Sequence, residues 1–320
     1  METSMSRKLL TLPLTATLMG GAAYADTPQV VVDIAPVHSL VARVMDGIGT
    51  PDLIVQPGAS PHEYSLRPSE AAALQNADLV FWIGPDLTPW LTDTIETLAP
   101  DAAVTALLEA DGTIQLQFRE GALFEAHEHD DHADEAHDDG HDEEAGHDDH
   151  GAHDPHAWLS PKNAMTWLNV IAGQLSAADP DNAGAYFANA AVGRTEIEAL
   201  IDEVTATLDP VRDGQFVVFH DAYQYFEMDF DFQASGAISI GDASDPSPAR
   251  IAEIQGRIAE QGIDCVLAEP QFNPGLVATV LDGTEAQTGI LDPLGSDLEP
   301  GPALYPQLIR NLSTALAGCM

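Results

Sequence analysis

Short apolar runs alternate with helix-like patterns along most of this chain, and the alternation limits the folds it can adopt. The strand-like runs cover residues 30–34, 53–56, 78–83, 215–219, 264–268 and 289–291. Such alternation is typical of βα units that build mainly parallel sheets. We therefore predict an α/β protein.

One long segment separates the two groups of strand-like runs. Between residues 182 and 208, apolar residues recur at spacings that mostly suit one face of a helix, namely Phe187, Ala190, Ile197, Leu200, Ile201, Val204 and Leu208. A helix of this length extends about 40 Å. The pattern predicts two βα lobes joined by one long helix. The N-terminal lobe covers residues 26–180, the connecting helix 181–209 and the C-terminal lobe 210–320.

Two Ser-Pro pairs predict where further helices begin. Ser160 precedes Pro161, and Ser247 precedes Pro248. A serine side chain caps the first free backbone N–H groups of a helix, and proline suits the first helical position. We expect one helix to begin at each proline.

The first 25 residues are typical of a secretory signal. Arg7 and Lys8 precede an apolar run, and the small residues around Ala25 suit cleavage. The run is too short to span a bilayer as a helix, which needs about 20 apolar residues. We expect a soluble exported protein that begins near Asp26.

Residues 126–154 form an acidic, histidine-rich insertion in the first lobe. They hold thirteen of the 52 acidic residues and no Lys or Arg, together with the histidines His127, His129, His132, His137, His141, His147, His150 and His153. Blocks of like charge repel and stay disordered, so a solvated loop is the simplest interpretation. Neutral imidazoles also bind borderline cations. We predict a disordered surface insertion that binds metal ions weakly at several positions.

The overall charge narrows the range of partners. The formal net charge is -41 at pH 7, and most of the acidic residues lie outside the insertion. A protein this acidic repels nucleic acid and anionic membrane surfaces. Cations are attracted instead.

The chain has two cysteines, Cys265 and Cys319. An even number of cysteines in an exported protein favours a disulfide. A two-cysteine zinc site is the alternative, but the cysteines lack the close spacing that such sites show. We predict a Cys265–Cys319 disulfide that holds the C-terminal end of the chain.

Four histidines lie outside the insertion: His38, His62, His156 and His220. His220 directly follows a predicted strand, as does Asp292, and His62 lies in a loop beyond another strand. Ligands of open α/β sheets bind at the carboxyl ends of strands. A single histidine beside apolar strands is more often packed than functional. Their joint occurrence nevertheless favours a shared site where the two lobes face each other.

Six segments around these residues carry motifs. They read SPHEYSLRPS at 60–69, QNADLV at 75–80, HAWLSP at 156–161, VFHDAY at 218–223, AEPQF at 268–272 and LDPLG at 291–295. In their content and order they resemble the periplasmic zinc receptors of ABC-type zinc importers, in the metal-binding class of substrate-binding proteins. The motifs span nearly all of the mature chain, and the insertion sits where such receptors carry theirs.

The resemblance implies a set of metal ligands. His62, His156 and His220 would bind one Zn²⁺ in the cleft between the lobes, with Asp292 or water as the fourth ligand of a tetrahedral ion. Some relatives carry a carboxylate just before the first of these histidines, where this chain has Pro61. His38 is not a usual ligand in the family, and we expect it at a helix start near the cleft.

The resemblance also implies a function without catalysis. The protein would capture Zn²⁺ as cargo in the periplasm with high affinity and deliver it to an ABC-type permease in the inner membrane. The insertion would act as an auxiliary collector of low affinity. We expect a monomer, and a periplasmic zinc chaperone is a second candidate partner.

Two alternatives remain open. A manganese or iron receptor has the same fold, but harder cations prefer oxygen ligands, and relatives that carry manganese resemble a site with two histidines and two carboxylates. His220 therefore favours zinc.

The second alternative is a zinc-dependent hydrolase, which also uses three histidines with an open position and needs a general base. Asp221 and Glu269 are the obvious acids within the ligand motifs.

Overall fold

The computed structural model describes residues 27–119, 124, 153–239 and 246–320. These residues form eight strands and nine α-helices. The predicted signal segment lies outside the described residues. So does most of the predicted insertion, including His127, His129, His132, His137, His141, His147 and His150.

The first lobe is built on a four-stranded parallel sheet. Its strands are β1 (Val30–Val32), β2 (Asp52–Leu53), β3 (Leu79–Trp82) and β4 (Ala103–Ala106), and its first helices are α1 (Ala35–Val44), α2 (Pro68–Gln75) and α3 (Pro89–Leu98). The strand order is β2-β1-β3-β4. β1 and β3 are buried along their whole length, as the inner strands of a parallel sheet must be when both faces are covered.

Two long helices follow, α4 (Pro161–Ala178) and α5 (Ala183–Leu208). The predicted cap of α4 is confirmed, because Ser160 Oγ accepts the Asn163 N–H at 3.1 Å. The predicted connecting helix is α5. Its buried residues recur every three or four positions, at Tyr186, Ala190, Gly193, Ile197, Leu200, Val204 and Leu208.

The predicted buried face of α5 was wrong at Phe187, whose side chain is 51% exposed. The neighbouring Tyr186 is buried instead. Gly193 also lies on the buried face, where a Cβ atom would meet Leu168 Cδ1 at 3.0 Å. A small residue therefore lets α5 approach α4 closely, which a search for large apolar residues does not detect.

The second lobe repeats the architecture of the first. Its strands are β5 (Phe216–His220), β6 (Ala237–Ser239), β7 (Cys265–Ala268) and β8 (Gln287–Ile290), and its helices are α6 (Gln224–Phe230), α7 (Pro248–Gln261) and α8 (Pro274–Leu281). All strand pairs are parallel, in the order β6-β5-β7-β8. The cap of α7 is also as predicted, with Ser247 Oγ accepting the Arg250 N–H.

The last helix, α9 (Leu304–Cys319), connects both lobes. It packs against β8 of the second lobe and against α1 and α5. Tyr305 donates its backbone N–H to Ser39 Oγ and its hydroxyl to the Trp158 carbonyl. The predicted disulfide is present, with the Cα atoms of Cys265 and Cys319 5.7 Å apart.

A continuous apolar core runs through the first lobe, α4, α5 and α9, and a smaller cluster lies beneath α7 and α8. None of the described helices combines the length and apolar character needed to cross a bilayer.

In each sheet the strand order reverses beside the first strand, so β1 and β5 each lie between two later strands. Such a reversal opens a crevice at the carboxyl ends of the strands, where ligands bind in open α/β sheets. His220 is the last residue of β5.

Candidate metal centre

The structure brings together the three histidines that the sequence singles out as ligands. One ring nitrogen each of His62, His156 and His220 lies within 4.8 Å of the other two. The Nε2 atoms of His156 and His220 are 3.3 Å apart. His156 and His220 are buried, and His62 is half-buried.

The loop after β2 presents His62. The backbone N–H of His62 donates to Ser60 Oγ at 3.2 Å. The carbonyl of the preceding residue, Pro61, accepts the Trp90 indole N–H at 2.8 Å. Trp90 also contacts Tyr64, with ring centroids 5.7 Å apart. Pro61, which stands where some relatives have a carboxylate, thus anchors this loop through its carbonyl.

A neighbouring carboxylate holds His156. Asp154 Oδ1 accepts the backbone N–H of His156 at 3.0 Å and contacts its ring Nδ1 at 2.8 Å. One turn of 3₁₀ helix at Ala157–Leu159 and then α4 follow. The start of α4 fixes the backbone on one side of His156, and Asp154 fixes the ring on the other.

His220 has the same arrangement with Glu269, which directly follows β7. Glu269 Oε1 accepts the backbone N–H of His220 at 3.3 Å and contacts its Nδ1 at 2.7 Å. Because the same oxygen also accepts a backbone N–H, we assign the ring Nδ1 of each histidine as the donor. In that tautomer each Nε2 carries the lone pair that can bind a metal ion.

Burial keeps His156 neutral. It lowers the pKa of the His156 ring well below the usual value, and the nearby His220 lowers it further. A neutral imidazole is the form that binds metal. Burial also raises the pKa of Asp221, which directly follows His220, while a hydrogen bond from Arg119 opposes that shift.

The three histidines line a cavity of about 20 Å³, which is room for one water-sized particle. Part of the cavity wall is apolar and is formed by Trp158, Phe272 and Leu294. The Trp158 indole N–H is satisfied by the Pro293 carbonyl at 2.8 Å. The cavity therefore suits a single small ion held by nitrogen ligands.

Asp292, the predicted fourth ligand, is engaged elsewhere. Its Oδ1 accepts the N–H groups of Leu294 and Gly295 and the side-chain amide of Gln271, and its Oδ2 accepts the N–H of Ser296. It does not belong to the group of three mutually close histidines. Its role as a ligand stays a prediction.

Two other histidines lie apart from this group. His38 is in the first turn of α1, as expected, and its Nε2 contacts the Pro51 carbonyl at 3.1 Å. His153 is the one histidine of the predicted insertion within the described residues. It pairs with Gln117 in an antiparallel bridge, and its N–H donates to Asp86.

Sequence analysis missed two charged residues beside the centre. It assigned Asp154 to the acidic insertion, although its position two residues before His156 is a local signal. It did not consider Arg119, which hydrogen-bonds to Asp221 and Glu227. Arg119 is the sole Lys or Arg between Arg67 and Lys162 in the sequence, and a lone cation in so acidic a stretch is a usable signal.

The distance between the two Nε2 atoms indicates what the centre can bind. Two nitrogens on one tetrahedral zinc, each about 2.0–2.1 Å from the metal, lie about 3.3 Å apart. The separation between His156 and His220 is 3.3 Å. His156 and His220 thus have the donor type and the spacing of two ligands on one tetrahedral zinc.

Comparison with known proteins agrees with this chemistry. The family model described as "Zinc-uptake complex component A periplasmic" (ZnuA) matches residues 30–319. The high-affinity zinc uptake system protein ZnuA of Brucella abortus (strain 2308) is 45% identical over 319 residues, which is 94% of each chain.

Solved structures share the fold at lower identity. A crystal structure of ZnuA superimposes with a TM-score of 0.73 at 22% identity, over 92% of this chain and 99% of that one. FpvC of Pseudomonas aeruginosa, solved in complex with Mn²⁺, has a TM-score of 0.71 at 20% identity, over 91% and 97%. The family model and the Brucella relative are both described as components of zinc-uptake systems. The chain belongs to the ZnuA family of periplasmic zinc-uptake components.

Proposed function

We propose that this protein captures Zn²⁺ with His62, His156 and His220 and delivers it to an ABC-type permease in the inner membrane. The observation that carries the proposal is the 3.3 Å separation of two Nε2 atoms whose rings are each held at Nδ1 by a buried carboxylate. A ring held in this way loses little freedom when it binds metal, which favours high affinity.

The choice of zinc over manganese rests on the donor atoms. FpvC shares the fold and was solved with Mn²⁺. The group here offers three imidazoles, whereas manganese prefers carboxylate and other oxygen ligands. Imidazole donors at tetrahedral spacing favour zinc.

The hydrolase alternative has less support from the two acids within the ligand motifs. Asp221 is paired with Arg119, and Glu269 Oε1 holds the His220 ring. A general base must reach the proton that it removes, and both carboxylates already interact with neighbouring side chains. Transport therefore remains the proposal.

We further propose that the insertion collects zinc with low affinity. The support for this collecting role is the composition of the insertion, because eight histidines among thirteen acidic residues attract and bind cations. The bridge between Gln117 and His153 supports this proposal, because His153 is the last histidine of the insertion and lies three residues before His156 in the sequence. Zinc released there would have a short path to the cleft.

The cellular context follows from the same proposal. The segment of residues 1–25 would direct export and be cleaved near Ala25, and the mature protein would act in the periplasm as a monomer. A periplasmic zinc chaperone as a second partner stays a prediction.

The decisive experiment is the metal content of protein isolated from its own periplasm without added metal. We expect about one zinc per chain in the tight site, and none there in the His220→Ala variant. The His38→Ala variant is the control and should keep its zinc. Manganese or iron as the main metal, or normal zinc in His220→Ala, would contradict the proposal.

A further inference from the structure

We propose that two segments, one before the insertion and one at its C-terminal end, are positioning elements of the metal centre, with Asp154 orienting His156 and Arg119 holding the backbone that carries His220. This inference rests on the proposed zinc function and adds residues that do not touch the metal. We call residues 116–119 and 153–154 the insertion roots.

The roots are paired with each other. Gln117 and His153 form an antiparallel bridge, and the Asp154 N–H donates to the Leu116 carbonyl at 2.9 Å. The two segments therefore lie side by side. The second of them ends two residues before the ligand His156.

One root acts directly on a ligand. Asp154 is 1% exposed, and its Oδ1 contacts both the backbone N–H and the Nδ1 of His156. Its own backbone is held as well, because its carbonyl accepts the Tyr225 hydroxyl at 2.7 Å. Tyr225 is on α6 of the second lobe and also accepts the Leu116 N–H at 3.0 Å. Both roots are thus bound to the second lobe through one hydroxyl.

The other root acts on the neighbour of a ligand. Arg119 donates to both oxygens of Asp221, the residue after His220, and to both oxygens of Glu227 on α6. Asp221 and Glu227 are buried. Two buried carboxylates need a cation, and a guanidinium supplies several donors in a fixed plane. Arg119 therefore fixes the position of His220 relative to the two ligands of the first lobe.

The roots consequently connect the ligands of both lobes. Without the carboxylate of Asp154, the His156 ring would lose the charged, acceptor-only partner that selects its tautomer, since an amide at this position can also donate. Without the planar guanidinium group of Arg119, the turn that carries His220 would lose the hydrogen bonds that connect Asp221 to residue 119 of the first lobe. Both changes should disturb the spacing of the nitrogens, and hence zinc affinity, without removing a ligand.

The test compares two conservative root variants, Asp154→Asn and Arg119→Lys, in the full chain. Arg119→Lys keeps a positive charge beside Asp221 and Glu227, so both carboxylates still have a cation nearby. It removes the planar set of N–H donors that only the guanidinium group provides. The readouts are the zinc Kd by competition with a chromophoric chelator and the visible absorption of bound Co²⁺, which reports coordination geometry. We expect each variant to raise the zinc Kd by about 10- to 100-fold, the usual effect of losing a partner of a metal ligand.

Matched controls are Asp179→Asn and Arg310→Lys. Asp179 is as buried as Asp154 but accepts from Asn182 and Tyr186, and Arg310 forms a two-oxygen pair with Glu203 far from the centre. The controls should keep the zinc Kd and the cobalt spectrum of the unaltered protein even if their melting temperatures fall.

The outcomes separate the two proposals. If the unaltered protein has no tight zinc site, the proposed function fails. If it binds zinc tightly, and either root variant, folded by circular dichroism, keeps the same zinc Kd and cobalt spectrum, the role of the roots is overturned. A raised Kd and an altered cobalt spectrum in both root variants, with neither change in the controls, would support it.

Discussion

Nε2 of His156 lies 3.3 Å from Nε2 of His220, and each ring is held at Nδ1 by a carboxylate oxygen. With both Nδ1 atoms as donors, the lone pairs of both Nε2 atoms are available to one ion. The two carboxylates therefore orient both rings in the way that a shared metal ion would need.

The first prediction concerns the ligands themselves. His62→Ala, His156→Ala and His220→Ala should each weaken tight zinc binding more than the roughly 10- to 100-fold that loss of a ligand's hydrogen-bond partner costs. Each change leaves an incomplete shell of two imidazoles. Calorimetric titration in the presence of a competing chelator measures the effect. Near-normal affinity in any one variant would remove that histidine from the site.

The second prediction concerns Asp292. Asp292→Ala should cost about 1–3 kcal/mol of unfolding free energy, because backbone N–H groups of its loop lose their acceptor. Its zinc affinity should fall less than that of the histidine variants, since water can take the fourth position. Urea unfolding and zinc titration test the two parts separately. A loss of affinity as large as in His220→Ala would instead make Asp292 an essential ligand.

The third prediction concerns pH and His38. Burial lowers the pKa of His38, although the Pro51 carbonyl and the charge of Asp52 oppose the shift. As pH falls below about 6.5, the unfolded chain takes up a proton at His38 that the folded protein does not, so the free energy of unfolding decreases. The slope from one such group is at most about 1.4 kcal/mol per pH unit.

His38→Gln should therefore reduce the loss of stability between pH 7 and pH 5.5 in zinc-free protein. Urea unfolding at both pH values measures this. Zinc content at pH 7 should not change. An unchanged pH dependence in the variant would show that His38 does not contribute.

The fourth prediction concerns the disulfide. Cys265 and Cys319 are 54 residues apart, and opening a loop of that length should cost about 4 kcal/mol in the chain-entropy model. The double variant Cys265→Ser/Cys319→Ser should melt at a lower temperature and still bind one tight zinc, because Cys265 begins β7 whereas Glu269 follows its other end. Two free thiols in freshly exported protein, seen by mass spectrometry, would contradict the disulfide.

The fifth prediction separates the insertion from the centre. Deleting residues 126–152 keeps His153 and Asp154 and should remove the weak class of zinc sites while sparing one tight zinc per chain. A segment that must order itself around each ion binds more weakly than ligands fixed by strands and a capped helix. Added salt should weaken the low-affinity class, since exposed charges are screened over about 8 Å at physiological ionic strength. Loss of the tight zinc from a folded deletion protein would show that the insertion belongs to the primary site.

Much of the fold could be predicted from the sequence because its inner strands are continuous apolar runs. β1, β3, β5 and β7 were all expected, with small differences at their ends. β4 and β6 were missed, because β4 is an exposed edge strand of Ala, Val and Thr and β6 has three residues. An exposed strand such as β4 carries a weaker apolar signal in its sequence, and β6, although buried, is too short to give a recognisable apolar run.

The histidines of the site could be predicted from the sequence, whereas Arg119 and Asp154, which support them, were not predicted. Each of His62, His156 and His220 lies in a motif of its own or after a strand. Arg119 and Asp154 act through side-chain geometry across the two lobes, and Asp154 is one acid among thirteen in its segment. Its position two residues before His156 is the one sequence feature that sets it apart from the other acids of that segment.

The three nitrogen donors have a consequence for the ions that reach the histidines. A divalent ion in bulk water carries a hydration shell, and an ion that binds all three histidines must exchange waters of that shell for ring nitrogens. Magnesium gives up its waters reluctantly and calcium requires six to eight oxygen ligands. Both abundant ions would have to dehydrate and would receive only nitrogen donors from the three histidines in return. The cost of dehydration without oxygen ligands in exchange therefore disfavours the commonest divalent ions.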